Sequence, residues 1–179
     1  MVYFFLADGF EEIEALCPLD LCRRAGIEAK TVSLNDKKEV TGSHGITVKA
    51  DLSSDDRLSD FDMMVLPGGM PGTLNLDNSP LVEGCINYAI KNDRYIAAIC
   101  AAPMILGKRG LLEGKEAICF PGFEEHLRGA TISKNKVVHS GKIITAAGMG
   151  VSHDFGLKIV EIFCGKETAD KLCGSVLYK

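Results

Sequence analysis

YIAAICAAPMILGK, residues 95–108, is the stretch on which the fold turns. Tyr95 to Ile99 reads as an apolar strand that stops at Cys100. Ala101 to Lys108 reads as the small-residue start of a helix ending near Gly110. A residue at such a junction is held outward on a sharp turn, beside the N–H groups of the helix that follows. Both features lower the pKa of a thiol, so Cys100 reads either as an activated cysteine or, since free cysteines are often buried, as a structural one.

Working outward from this turn, the same strand-then-helix alternation recurs. Val2 to Ala7 is an unbroken apolar run ended by Asp8-Gly9, as expected of a strand buried on both faces of a parallel sheet. Glu11 to Ala25 reads as a helix, with acids in its first turn, Arg23 and Arg24 in its last, Gly26 as a stop, and a kink expected at Pro18. Ile27 to Leu34 and Phe61 to Leu66 read as strands, the latter stopped by Pro67-Gly68-Gly69. Between them Glu39 to Val48, with turn signals at Thr41-Gly42 and His44-Gly45, reads as an antiparallel ribbon. Ser79 to Asn92 has a serine cap, Pro80 in the first turn and helical apolar spacing. Ala117 to Phe120 and Lys136 to Thr145 add short strands, and Ser152 to Cys164 a long helix. This order predicts an α/β protein with a mostly parallel sheet, helices on both faces, and one domain over residues 1–179.

Composition narrows the function. With 46% hydrophobic and 25% charged residues the chain can bury a sizeable core. A net charge of -4 offers no basic field for a phosphate backbone, so nucleic acid is not expected as a partner. Met1 to Ala7 is one strand long and lacks a basic leader, so neither a signal peptide nor a membrane span is expected. Seven cysteines without paired spacing point to free thiols in a reducing, cytoplasmic compartment. Neither they nor the four histidines have the spacing of a metal site, so no metal is expected.

In an open α/β sheet, ligands collect beyond the carboxyl ends of the strands. The residues there are Asp8 to Glu14, Gly68-Gly69, Cys100-Ala101, Phe120-Pro121 and Gly148 to Gly150, and only Cys100 is a strong nucleophile. Gly68-Gly69 could aim backbone N–H groups at an oxyanion, or be only a turn. Glu11, Glu12 and Glu14 could be a solvated acidic first turn. Glu14 alone shares a helical face with Phe10 and Cys17, where desolvation would raise its pKa. Gly148-Met149-Gly150 departs from a dinucleotide fingerprint by placing His153 at the third glycine position.

Four segments, ADGFEEIE at 7–14, RRAGI at 23–27, LPGG at 66–69 and AAICAAP at 97–103, resemble the ThiJ/PfpI superfamily. The resemblance runs the length of the chain and is strongest to the parkinsonism-associated protein deglycase branch, with its bacterial YajL-like members. It implies a flavodoxin-like three-layer sandwich, similar to class I glutamine amidotransferases, usually homodimeric and free of cofactors. It also implies that Cys100 is the reactive thiol, that Glu14 is a protonated partner carboxyl, and that the N–H groups of Gly69 and Ala101 are oxyanion donors. Gly68, Phe120, Pro121, His44 and Gly148 would line the pocket. The chain departs from the deglycase pattern at Phe120, where a histidine precedes the proline, at His44, where an arginine is common, and in the loop Ala146 to Val151, where the branch reads closer to G-P-G-T.

The enzyme expectation is a glyoxalase or deglycase that adds Cys100 to a small dicarbonyl such as methylglyoxal, or to its adduct on a protein, as part of an oxidative-stress response. The alternative is a redox sensor or chaperone acting through oxidation of Cys100. A peptidase or amidase is a third reading, but family proteases carry a histidine directly after the cysteine, where this chain has Ala101.

Overall fold

The computed structural model describes residues 1–179. Six strands form the main sheet: β1 (Val2–Leu6), β2 (Ala29–Ser33), β5 (Met63–Leu66), β6 (Tyr95–Ile99), β9 (Val137–Ser140) and β10 (Ile143–Ala146). Their order is β2-β1-β5-β6-β10-β9, parallel throughout except for the edge strand β9, which runs antiparallel to β10. Apart from the sheet stand the antiparallel ribbon of β3 (Glu39–Thr41) and β4 (Thr47–Lys49), and the parallel pair β7 (Glu116–Ala117) and β8 (Thr131–Ile132).

Alternation along the strands makes the layers. Val2 and Phe4, Met63 and Val65, and Ala97 and Ile99 point to one face; Tyr3 and Phe5, Met64 and Leu66, and Ile96 and Ala98 point to the other. All twelve are buried, which is why these strands read as continuous apolar runs rather than alternating ones. The first face is covered by α1 (Glu12–Arg24) and α5 (Ser152–Cys164), the second by α3 (Pro80–Lys91) and α4 (Pro103–Lys108). The result is the expected flavodoxin-like sandwich. α1 continues as one helix through Pro18, which is buried against α5; a β-carbon at Gly156 would lie 2.8 Å from Pro18 Cα.

Several elements differ from the sequence expectation. α4 begins at Pro103 rather than Ala101, leaving two turn residues after Cys100. The strand expected over Ala117 to Phe120 shrinks to Glu116–Ala117, because Ile118 N–H donates to the Thr145 side-chain Oγ1 and Phe120 N–H to the Cys100 carbonyl, rather than to the backbone of a neighbouring strand. Two helices were not expected, α2 (Gly72–Asp77) and α6 (Lys166–Ser175), the latter packed on α5 through Ala169 and Leu172. No helix is long and apolar enough to cross a membrane.

Candidate active site

The carboxyl ends of β1, β5, β6 and β10 meet around Cys100. Its backbone takes φ 64°, a left-handed conformation that L-residues other than glycine seldom hold. Two hydrogen bonds fix it there: Cys100 N–H donates to the Ala146 carbonyl at 2.9 Å, and Phe120 N–H donates to the Cys100 carbonyl at 2.8 Å. β10 and the segment after β7 thus clamp the turn that presents the sulfur.

Glu14, one turn into α1, is 1% exposed. Its carboxyl lies beside the Cys100 thiol across Gly68, and its Oε2 accepts Gly68 N–H at 2.9 Å. Only glycine fits at position 68, where a β-carbon would lie 2.6 Å from both Cys100 Cβ and Glu14 Oε2. Gly69, at φ 89°, follows, and its N–H and that of Ala101 both reach the sulfur. Four of the expected residues, Cys100, Glu14, Gly69 and Ala101, therefore form one constellation, with Gly68 packed into it.

The electrostatics differ from expectation at the thiol. Burial pushes the Cys100 thiol up to about 12, with the Glu14 charge adding to it, while the N–H groups of Ala101 and Gly69 pull the other way. Burial likewise raises Glu14 to about 7 against its hydrogen bonds to Cys100 and Gly68, and the Glu11 charge adds. No cation offsets these terms, and α4 is only six residues long. Cys100 is therefore not a lone depressed thiol. It is half of a coupled pair in which Glu14 raises the thiol while the thiol lowers the acid, so that one proton is shared between them.

The remaining expected residues fall in two groups. Phe120 and Gly148 border the pair: a β-carbon on Gly148 would lie 3.2 Å from Phe120 Cδ2 and 3.9 Å from Glu14 Oε1. Pro121 joins both in an adjoining 380 Å³ cavity that also takes in Met149 and Lys136. His44 does not join the groups around the sulfur. Its Nδ1 sits 2.9 Å from Glu12 Oε2 and 3.2 Å from Glu11 Oε2, at the tip of the β3–β4 ribbon. His126 lies in a 3₁₀ turn, Glu124–His126, packed beside Phe123.

A model of the DJ-1/PfpI family matches residues 1–162. The chain belongs to the DJ-1/PfpI family. It is 38% identical over 177 residues to Protein DJ-1 homolog B of Arabidopsis thaliana, covering 97% of this chain and 40% of that protein. The chain thus spans less than half the length of that relative. Protein dj-1beta of Drosophila melanogaster is 35% identical over 175 residues, with 96% of this chain and 94% of the fly protein covered. Among solved structures, oxidized Toxoplasma gondii DJ-1 superposes with a TM-score of 0.93 at 34% identity, covering 98% and 97% of the two chains.

Within this DJ-1/PfpI fold, sequence reasoning missed Glu12. It is 3% exposed rather than solvated, and accepts hydrogen bonds from His44 N–H at 2.8 Å and Ile46 N–H at 3.4 Å. Burial alone would raise its carboxyl, yet the bonds to His44 and the backbone hold it at about 2. No local signal in EEIE separates this ribbon-bound acid from its neighbours; the partner loop lies some thirty residues away in sequence. Glu11, Glu12 and His44 have ligand-type atoms within 4.8 Å of one another, the grouping most like a metal-ligand set. Hydrogen bonds to the ribbon already engage both Glu12 oxygens.

Proposed function

We propose that this chain is a cysteine-dependent, cofactor-free glyoxalase or protein deglycase. It would act on small dicarbonyls such as methylglyoxal or on their protein adducts, in an oxidative-stress response. The observation that carries the reading is the buried Glu14 carboxyl set beside the Cys100 sulfur, both packed against Gly68, with the N–H groups of Ala101 and Gly69 lowering the thiol pKa. When the shared proton sits on Glu14, the negative charge on Sγ meets three donors: the carboxyl, Ala101 N–H and Gly69 N–H. That microstate is the nucleophile.

The sulfur adds to the aldehyde carbon of methylglyoxal, and the carbonyl oxygen takes up a proton to give a hemithioacetal. Glu14 then moves the hydrogen on that carbon, as a proton, to the neighbouring ketone carbon. The electron pair left behind and the transfer of the hemithioacetal hydroxyl proton to the ketone oxygen turn the hemithioacetal into a thioester and the ketone into an alcohol. Water cleaves the thioester, releasing lactate and the free thiol. One water is consumed and no external electron acceptor is needed. Glu14, beside Sγ, is placed for both transfers, and the N–H groups of Gly69 and Ala101 become free for the oxyanion once the sulfur is neutral.

Lactate formation from methylglyoxal tests this. Cys100→Ala and Glu14→Gln should each lose at least about 100-fold in turnover, the low end of general acid–base effects. Turnover preserved in either variant overturns the mechanism.

A second reading, a redox sensor, draws on the same donors, since a Cys100 sulfinate would accept hydrogen bonds from Glu14, Ala101 and Gly69. Each of two peroxide molecules gives one oxygen to the sulfur and leaves as water. Burial raises Cys17, Cys22, Cys85 and Cys119 too, but none of these sits on a positive-φ turn. Peptide mass spectrometry after mild peroxide should show Cys100 gaining two oxygens ahead of the other six cysteines, and indiscriminate oxidation removes this reading. A peptidase gains no support: the side chain beside Sγ is a carboxyl, not an imidazole.

The working form under this proposal is a cytoplasmic homodimer. Ile13 on α1 is 46% exposed and Ile46 on the ribbon 56%, both close to the site, and seven free thiols suit a reducing compartment.

A further inference from the structure

The strands β6 and β10 carry Cys100 and Ala146 at their carboxyl ends. At their amino ends, about 17 Å away along five residues of strand, they begin from Arg94 and Lys142. A cavity of 280 Å³ opens there, walled by Ile96, Ile143, Ala89 and Leu111. Three cations line it, Arg94, Lys115 and Lys142, against one carboxylate, Asp93.

The three cations come from separate parts of the chain and are all half-buried. Lys142 Nζ stands 3.2 Å from Asp93 Oδ2 and 4.4 Å from the centre of the Tyr95 ring. Arg94 Nη1 pairs with Asp62 at 3.2 Å, but its Nε is buried and has no hydrogen-bond partner. Lys115 forms no ion pair, and its Nζ would lie 4.0 Å from a β-carbon on Gly141, in the turn just before Lys142. Lys115 is thus a cation with no ion-pair partner, and it stands beside the Arg94 guanidinium. Both border one apolar-walled cavity, in a protein whose net charge is negative.

We propose that this cavity is a binding site for a small organic carboxylate with an apolar body of about six carbons. The chain of the ligand lies on Ile96, Ile143 and Leu111. Its carboxylate accepts from the Lys115 ammonium and from the Arg94 guanidinium at the cavity wall. The site is independent of the chemistry at Cys100, since it lies at the opposite end of the sheet.

The test is a titration of the full chain with hexanoate, followed by amide chemical shifts. Saturable shifts are expected at Arg94, Ile96, Lys142 and Ile143, and the same affinity is expected in Cys100→Ser. Lys115→Glu and Lys115→Met should weaken binding by at least about tenfold and about threefold respectively, for the loss or reversal of one close charge. 1-Hexanol, which has the body without the charge, should bind at least about tenfold more weakly than hexanoate. The site is refuted if hexanoate does not saturate, if both Lys115 variants bind it as well as the parent, or if hexanol matches it. Inorganic phosphate binding as tightly as hexanoate would likewise refute it, because the apolar wall would then contribute nothing.

Discussion

A left-handed backbone at a non-glycine residue costs about 1–2 kcal/mol, and Cys100 is held there by hydrogen bonds on both sides of its peptide. That cost places the sulfur against Glu14, and the acid shows the consequence for stability. In the folded chain Glu14 binds its proton up to about 7, against 4.5 when exposed. Between those values the native state holds more protons than the unfolded one, so this group's contribution is full below 4.5 and is lost as pH rises through about 7. Urea unfolding at pH 5 and pH 8 should therefore show the wild type losing up to about 3 kcal/mol more than Glu14→Gln, by the linkage of pKa to free energy. An equal pH dependence in the two proteins would mean that Glu14 is not buried as a neutral acid. Cys100 and Glu14 were both legible in the sequence, one from a strand-to-helix break and the other from helical spacing. The direction of the thiol's own pKa was not, because the positive helix end assumed beside it belongs to a short helix that starts two residues later.

At the scale of elements, Glu12 ties α1 to the ribbon of β3 and β4. Its carboxylate receives two backbone N–H groups and the His44 ring, and Gly42 leaves it room, since a β-carbon there would collide with the Glu12 carboxyl. Glu12→Ala should cost about 2 kcal/mol, as for hydrogen bonds to a charged group. Amide exchange at His44 and Ile46 should quicken beyond the global change; unchanged protection there would show that the ribbon turn holds without the acid. The Glu12 contribution has the opposite pH sign to that of Glu14: it is present above 4.5 and lost as pH falls through about 2. The buried parallel strands and long helices were readable because their apolar runs and caps are local. α2 was not, because what holds it is tertiary: Gly72 N–H donates to the Gly9 carbonyl at 3.2 Å, Asn75 Nδ2 to the Asp8 carbonyl at 2.9 Å, and Leu76 is fully buried. The strand expected up to Phe120 failed for the same reason, its N–H groups being drawn to the thiol turn and to Thr145.

Across the whole molecule, both helical layers follow from strand alternation, while the second chain of the proposed dimer is signalled only by exposed apolar residues. Ile13 precedes the buried Glu14 yet faces outward. Ile13→Glu should shift the protein toward monomer in sedimentation velocity, with little loss of fold, since the side chain is half exposed. An unchanged sedimentation coefficient would remove this face of α1 from the interface. The bond from Cys100 N–H to the Ala146 carbonyl also dates the birth of the site. β1 can pair with β2 once some thirty residues have left the ribosome, but β6 gains its partner β10 only after residue 143. Until then Phe120 is the only clamp on the turn. A nascent chain thus carries Cys100 without its full setting for most of its synthesis, and the site is complete only when the last strand of the sheet closes.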